Sequence, residues 1–90
     1  MKKIDFQNFP LIGDFKKTKT VVTDVREDFA NLVYTKVPGI AALELSRKIY
    51  NSEGETEYSK EEVELISKVV VQLTTPSFMD SFRDVMSKNN

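Results

Sequence analysis

The start of one helix is marked more clearly in this sequence than any other structural feature. Ser59 precedes a run with apolar side chains at helical spacing, and Glu62 follows it three positions later. This is the pattern of a capping box, in which each side chain accepts a hydrogen bond from the other residue's backbone N–H. Tyr58, just before the cap, is placed to pack on Val63 as a hydrophobic staple. The expected inward face of this helix consists of Val63, Ile66, Val69, Val70 and Leu73.

Three further segments repeat apolar residues at helical spacing. The first helix is predicted over residues 24–37, where Asp24 and Glu27 have the spacing of another capping box. Pro38 and Gly39 interrupt the pattern, and a second helix follows over residues 40–50. Thr75-Pro76 is typical of a cap followed by proline at the first helical position, and it starts a helix that runs nearly to residue 90. The expected inward residues are Val25, Phe29, Leu32, Val33 and Val37, then Ala42, Leu45, Ile49 and Tyr50, and finally Phe78, Met79, Phe82, Val85 and Met86.

The chain before residue 24 has the composition of β-strands. Residues 2–6 alternate apolar and polar side chains, and residues 17–23 are rich in threonine and valine. We predict that these two segments pair as antiparallel strands, with residues 8–14 as a wide turn because they contain Pro10 and Gly13. A two-stranded hairpin is marginal in water, so it must pack on the helices. The side chains expected to make that contact are Ile4, Phe6 and either Val21 or Val22.

These segments together predict a mostly α-helical α+β fold, an N-terminal two-stranded β-hairpin packed on a bundle of four short helices. The 90 residues suit a single domain, with the hairpin in residues 1–23 and the bundle in residues 24–90. The hydrophobic share of 40% and the charged share of 30% are ordinary for a globular chain. The longest apolar run is Val69-Val70-Val71, far short of a membrane span or a signal peptide, so no membrane association is expected.

Histidine and cysteine are both absent from the sequence. This removes the commonest general base, the commonest transition-metal ligand and the thiolate nucleophile. Asp80 and Asp84 lie one helical turn apart, but they flank Arg83 on the side away from the apolar residues, as on a solvated helix face. We therefore predict no enzymatic activity, no cofactor and no small-molecule substrate. A chain without cysteine suits the reducing cytoplasm, which is the predicted location.

Metal and nucleotide sites find little support in the spacing of residues. Glu53, Glu55 and Glu57 resemble a calcium-binding loop only loosely, because the spacing of the motif is wrong. We interpret this stretch as a flexible acidic loop between the second and third helices, and predict no metal. The three glycines lie far apart and cannot form a phosphate-binding loop.

Opposite charges are concentrated in two parts of a chain whose net charge is only -1. Residues 1–20 hold five lysines against two aspartates, whereas residues 51–66 hold six glutamates against one lysine. Phe6, Phe9 and Phe15 interleave with the lysines, and a basic surface with exposed aromatics is how single-stranded nucleic acids are held. Edge strands also carry lysines simply to prevent edge pairing, so both interpretations stay open. The candidate nucleic-acid contacts are Lys2, Lys3, Lys16, Lys17 and Lys19.

The same charge distribution favours a protein partner or self-association, because opposite charges steer two surfaces together. The candidate partner contacts are Phe9, Leu11 and Ile12. Two interpretations of these apolar side chains remain open, since they are either buried in the core or offered to a partner. A helix-turn-helix made by the third and fourth helices is disfavoured, because the helix that would read DNA balances its acidic and basic residues.

The order of segments also resembles a group of known proteins. A leading hairpin is followed by ANL at residues 30–32, ALELSRKIY at 42–50 and SKEEVELI at 59–66. This order is similar to that of small uncharacterised proteins encoded by phages and prophages, over most of the chain. The resemblance implies such an origin and a non-enzymatic character, and it transfers no binding residues. The leading hypothesis is therefore a protein-interaction or assembly protein of phage or mobile-element type, and the alternative is nucleic-acid binding through the basic hairpin.

Overall fold

The computed structural model describes residues 2–88, and its architecture is the mostly helical α+β fold that the sequence predicts. Two small antiparallel sheets pack against four helices. In chain order the elements are β1 (Lys2–Ile4), β2 (Phe9–Ile12), β3 (Thr20–Thr23), α1 (Arg26–Lys36), α2 (Ile40–Tyr50), β4 (Thr56–Tyr58), α3 (Lys60–Leu73) and α4 (Pro76–Ser87).

The predicted pairing of the strands is wrong. β1 pairs antiparallel with β4, with Lys2 opposite Tyr58, whereas β2 pairs with β3, with Phe9 opposite Thr23. The N-terminal hairpin is therefore β2–β3, and the predicted wide turn is strand β2. The acidic stretch after α2, interpreted from sequence as a flexible loop, contributes β4 and so completes the first sheet.

Hydrogen-bond geometry explains why a strand with a proline is accepted in the hairpin. The Gly13 N–H donates to the Lys19 carbonyl at 2.8 Å, while the Ile12 N–H donates to Ser81 Oγ at 2.9 Å on α4. Bonding therefore alternates along β2, and the nitrogen of Pro10, like that of Ile12, faces away from β3. Because the ladder needs no N–H from Pro10, the proline costs it nothing.

Strand β2 lies against the helices and strand β3 lies outside it. Ile4 and Phe6 are buried as expected, but Val21 and Val22 are 59% and 63% exposed. The prediction that one of these valines contacts the helices is wrong because β2, held to α4 through Ser81, occupies that position.

Two of the three predicted N-terminal side-chain caps are confirmed in detail. Ser59 accepts a hydrogen bond from the Glu62 N–H, and Glu62 Oε1 accepts one from the Ser59 N–H at 2.7 Å. Thr75 caps α4 by accepting from the Phe78 N–H. The predicted box of Asp24 and Glu27 is wrong, since α1 has Val25 at its N-cap with no side-chain bond. The Asp24 carboxylate is instead engaged by Arg26, whose guanidinium lies 2.8 Å from it.

The inward faces of the helices are mostly as predicted, with exceptions at two helix ends. Ala42, Leu45 and Ile49 of α2 are buried, but Tyr50 is exposed because it follows Ile49 directly and so lies about a quarter of a turn off that row. Leu73 is also exposed, since it is the last residue of α3, where the chain turns toward α4.

Aromatic rings join the separate elements into one core. Phe6 stacks on Phe29 of α1 with ring centroids 5.2 Å apart, and Phe9 of β2 stacks on Phe78 of α4 at 5.1 Å. Tyr58 of β4 meets the Phe6 ring edge-on at 5.8 Å. Offset and edge-to-face rings add to the burial of their area, so this cluster fixes both sheets against the helices.

Candidate functional site

The five lysines proposed for nucleic acid do not belong to one structural unit. Lys16, Lys17 and Lys19 are exposed in the connection between β2 and β3. Lys2 and Lys3 lie on β1, in the other sheet. Lys2 lines a groove between α3 and α4, whereas Lys3 lines a different groove with Asp5, Glu55 and Lys88. The basic surface predicted from sequence is therefore divided, and only its part in the β2–β3 connection is continuous along the chain.

An aspartate holds the shape of the β2–β3 connection. The Asp14 carboxylate accepts hydrogen bonds from the Thr18 N–H at 2.7 Å, the Lys19 N–H at 3.1 Å and the Thr18 hydroxyl. These bonds, the Thr18 hydroxyl first, lower the pKa of Asp14 below its ordinary value. Lys17 adopts a positive φ of 60° within this turn. The result is an ordered tip on which Phe15 is 98% exposed.

The three candidate partner contacts lie on β2, and for two of them the structure selects burial over exposure to a partner. Phe9 is fully buried in the aromatic core, and Ile12 is buried beside α4. Leu11 is half-buried and lines a small apolar groove against α1, with Phe29, Leu32 and Phe78. The hairpin uses its apolar residues for its own packing, because β2 is its inner strand.

A larger groove lies between α3 and α4 and was not found from the sequence. Its volume is about 480 Å³, and its lining combines apolar side chains with two basic residues, Lys2 and Arg83, and two serines, Ser67 and Ser87. Val71 in this groove is 62% exposed. The apolar residues of its lining are Val70, Val71, Met79, Phe82 and Met86. The sequence did contain an indication of this groove, since three consecutive valines of α3 cannot all lie on one buried helix face.

A smaller groove of about 230 Å³ separates α1 from α2. Tyr34 and Tyr50, both largely exposed, line it together with Arg47. Leu73 and Ile40 are further exposed apolar side chains. The surface of the described chain therefore offers apolar area on several helices, and the groove between α3 and α4 contains one of these exposed side chains, Val71.

The ionisable groups with altered pKa belong to structural contacts. Burial alone would raise the pKa of Glu62, but hydrogen bonds from the Ser59 N–H and from Lys48 Nζ at 2.9 Å outweigh it and lower the pKa. Burial raises the pKa of Tyr58 to about 12, and the nearby Ser52 hydroxyl opposes this without reaching hydrogen-bond geometry. Lys48 Nζ also lies 4.7 Å from the Tyr58 ring centre. The contacts of Lys48, Tyr58 and Glu62 therefore link α2, β4 and α3.

Within residues 2–88, no three acidic side chains converge as a metal site would require. The same residues contain no helix that is both long and apolar enough to cross a bilayer. Comparison with protein families, with curated proteins and with solved structures found no match. The candidate site therefore rests on the geometry of this chain alone.

Proposed function

We propose that this chain is a non-enzymatic protein-interaction domain, of the phage or mobile-element type that its order of segments resembles, acting in the cytoplasm. The observation that carries the proposal is the groove between α3 and α4. Its apolar lining is larger than the other grooves offer, and Met79 and Met86 are side chains that adapt to different shapes. The absence of histidine and cysteine supports a binding role rather than catalysis.

The occupant that best fits this groove is an amphipathic helix with acidic residues beside its apolar face. A groove between two helices accepts the apolar stripe of a third, with side chains at i, i+3, i+4 and i+7 as anchors. Lys2 and Arg83 give the lining a positive charge that acidic flanking residues would complement. The partner predicted by this geometry is therefore an acidic amphipathic helix of another protein.

Selection from a displayed library of randomised helical peptides tests this proposal. We expect the recovered peptides to carry an apolar stripe flanked by Asp or Glu, and to perturb the NMR methyl signals of Met79 and Met86. Val71→Glu should abolish the enrichment, because it places a negative charge in the apolar part of the groove, where it also repels the acidic residues of the peptide. Ile40→Glu is the matched control, since Ile40 is also exposed but lies on α2 outside this groove. The proposal would be contradicted if the wild-type chain enriched helical peptides no more than Val71→Glu does. Peptide binding that leaves the signals of both methionines unperturbed would contradict it as well.

Nucleic-acid binding is the second candidate, and the tip of the β2–β3 connection favours it. Phe15 is almost fully exposed there, beside Lys16, Lys17 and Lys19. One exposed ring and several lysines are the elements that hold single strands by stacking and phosphate contact. Lys17 is partly engaged, since its Nζ lies 3.6 Å from the Asp84 carboxylate.

Gel retardation at about 50 mM salt, where phosphate contacts are strong, tests the second candidate. If it holds, single-stranded DNA or RNA is retarded, and Phe15→Ala weakens the retardation. Lys36→Ala, which removes an exposed lysine at the end of α1, should leave it unchanged. If neither single-stranded nor double-stranded nucleic acid is retarded, nucleic-acid binding by this chain is excluded.

A further inference from the structure

Within residues 2–88, no strand pairs with the outer backbone edge of β3. The Gly13–Lys19 hydrogen bond and the register of the hairpin direct the N–H and C=O groups of Val21 and Thr23 toward β2. By the alternation of an antiparallel ladder, the same groups of Thr20 and Val22 point away from β2. The sheet in the described chain ends at β3.

The side chains of β3 do not protect that edge. The strand is Thr-Val-Val-Thr, without charge, proline or glycine, and both valines are exposed. Natural proteins guard edge strands with charged residues, with proline, with a bulge or by keeping them short, and of these devices β3 has only its short length. Here the lysines precede the strand rather than lie in it. The edge is therefore able to pair with another strand.

We propose that two copies of this chain associate by antiparallel pairing of their β3 strands, about a twofold axis at Val21. In this register Thr20 of one copy lies opposite Val22 of the other. These are the residues whose N–H and C=O groups point outward, so each such pair exchanges both of its hydrogen bonds. The result is one continuous sheet with two strands from each copy, and a wider sheet is more stable than an isolated hairpin.

The charges on either side of β3 favour a second copy as the occupant. Residues 14–19 carry three lysines and one aspartate, whereas residues 24–28 carry three acidic residues and one arginine. Antiparallel pairing brings the basic end of each strand to the acidic end of the other, and it does so twice. Parallel pairing would oppose like charges at both ends. The strand is therefore complementary to itself in one orientation only.

Pairing of four-residue strands buries less area than the roughly 1,000 Å² expected of a stable interface, so the dimer is weak and depends on concentration. It uses neither the groove between α3 and α4 nor a partner protein. Self-association is thus separate from the proposed binding of a helix, and each can be tested without the other.

Sedimentation velocity over about 10 μM to about 1 mM protein measures the association directly. We expect the wild-type chain to shift from monomer toward dimer across this range. Val22→Pro should remain monomeric, because it removes an N–H that points outward while leaving the ladder to β2 complete. Val22→Thr is the matched control, since it keeps the N–H and the β-branched shape, and it should still dimerise. A wild-type monomer throughout, or a Val22→Pro variant that dimerises normally, would overturn the proposal.

A second measurement on the wild-type chain covers the case in which Val22→Pro fails to fold. The backbone amide signals of Thr20 and Val22 should move with protein concentration, whereas that of Val71 on α3 should not. Concentration-dependent shifts confined to another surface would overturn pairing through β3. A folded Val22→Pro variant should also bind the selected helical peptides normally, which separates failure of this proposal from failure of the proposed function.

Discussion

The two strands of the N-terminal hairpin, Phe-Pro-Leu-Ile in β2 and Thr-Val-Val-Thr in β3, have opposite surroundings. In β2, Phe9 and Ile12 are buried, and Ile12 donates its N–H to Ser81 of α4. In β3, Val21 and Val22 are both exposed. Because the strands are paired to each other, the difference arises from which outer edge faces α4. Burial of Phe9 and Ile12, together with the hydrogen bond to Ser81, makes β2 the inner strand and leaves the outer edge of β3 available to other chains.

The largest expected difference between the strands comes from removing a large side chain from each. Phe9→Ala should lower the free energy of unfolding by about 3–5 kcal/mol, because Phe9 stacks on Phe6 and Phe78 and leaves a cavity when truncated. Val22→Ala should change it by about 0.5 kcal/mol or less, as is usual for a surface position. Urea denaturation of both variants at low protein concentration measures this, and comparable losses would contradict the assignment of inner and outer strands.

A smaller loss is expected when the anchor of β2 is removed. Ser81→Ala leaves the buried N–H of Ile12 without its acceptor, which costs about 1–3 kcal/mol. Ser87→Ala, at an exposed position of the same helix, is the control and should be close to neutral. Thermal melting distinguishes them. If Ser81→Ala melts with the wild-type chain, the bond does not hold β2 to α4.

The smallest effect concerns the other sheet, where Tyr58 has a buried hydroxyl without a hydrogen-bond partner among the described residues. Tyr58→Phe removes an unpaired polar group and keeps the ring against Phe6, so it should leave stability unchanged or raise it by up to about 1 kcal/mol. Thermal melting at neutral pH measures this change. A clear loss of stability would mean that the hydroxyl makes a contact that the structure lacks.

Tyr58 should also make stability depend on alkaline pH. Its pKa is about 12 in the folded chain, above its ordinary value of 10.0. At a pH between these values the unfolded chain loses the tyrosine proton more readily, so stability present below pH 10 falls as the pH rises toward 12. Tyr58→Phe should lose this part of the pH dependence. An unchanged slope between pH 10 and 12 would exclude Tyr58 as its source.

Local signals in the sequence predicted the helices better than the sheets. The α3 start was predicted from Ser59 and Glu62 because a capping box is complete within four residues of chain. The pairing of β1 with β4 could not be predicted this way, since β2, β3, α1 and α2 lie between these two strands along the chain. The position of β2 depended on Ser81, a contact between distant parts of the chain.

The candidate surfaces show the same limit. The lysines and Phe15 of the β2–β3 tip were visible in the sequence as a local excess of positive charge with interleaved aromatic residues. The groove between α3 and α4 depends on how two helices diverge, so the sequence indicated only an excess of valine on α3. Phe9 and Ile12 were named as candidate contacts because residues 8–14 were predicted to form a turn, where the sequence does not show whether an apolar side chain is buried.

Amide hydrogen exchange along β3 tests the central claim most directly, measured by NMR at a concentration where the chain is monomeric. The account predicts that the N–H groups of Val21 and Thr23, which bond to β2, exchange slowly, while those of Thr20 and Val22 exchange nearly as fast as in an unstructured chain. Protection of Thr20 and Val22 in the dilute monomer would contradict it, because those groups would then be covered by the chain itself.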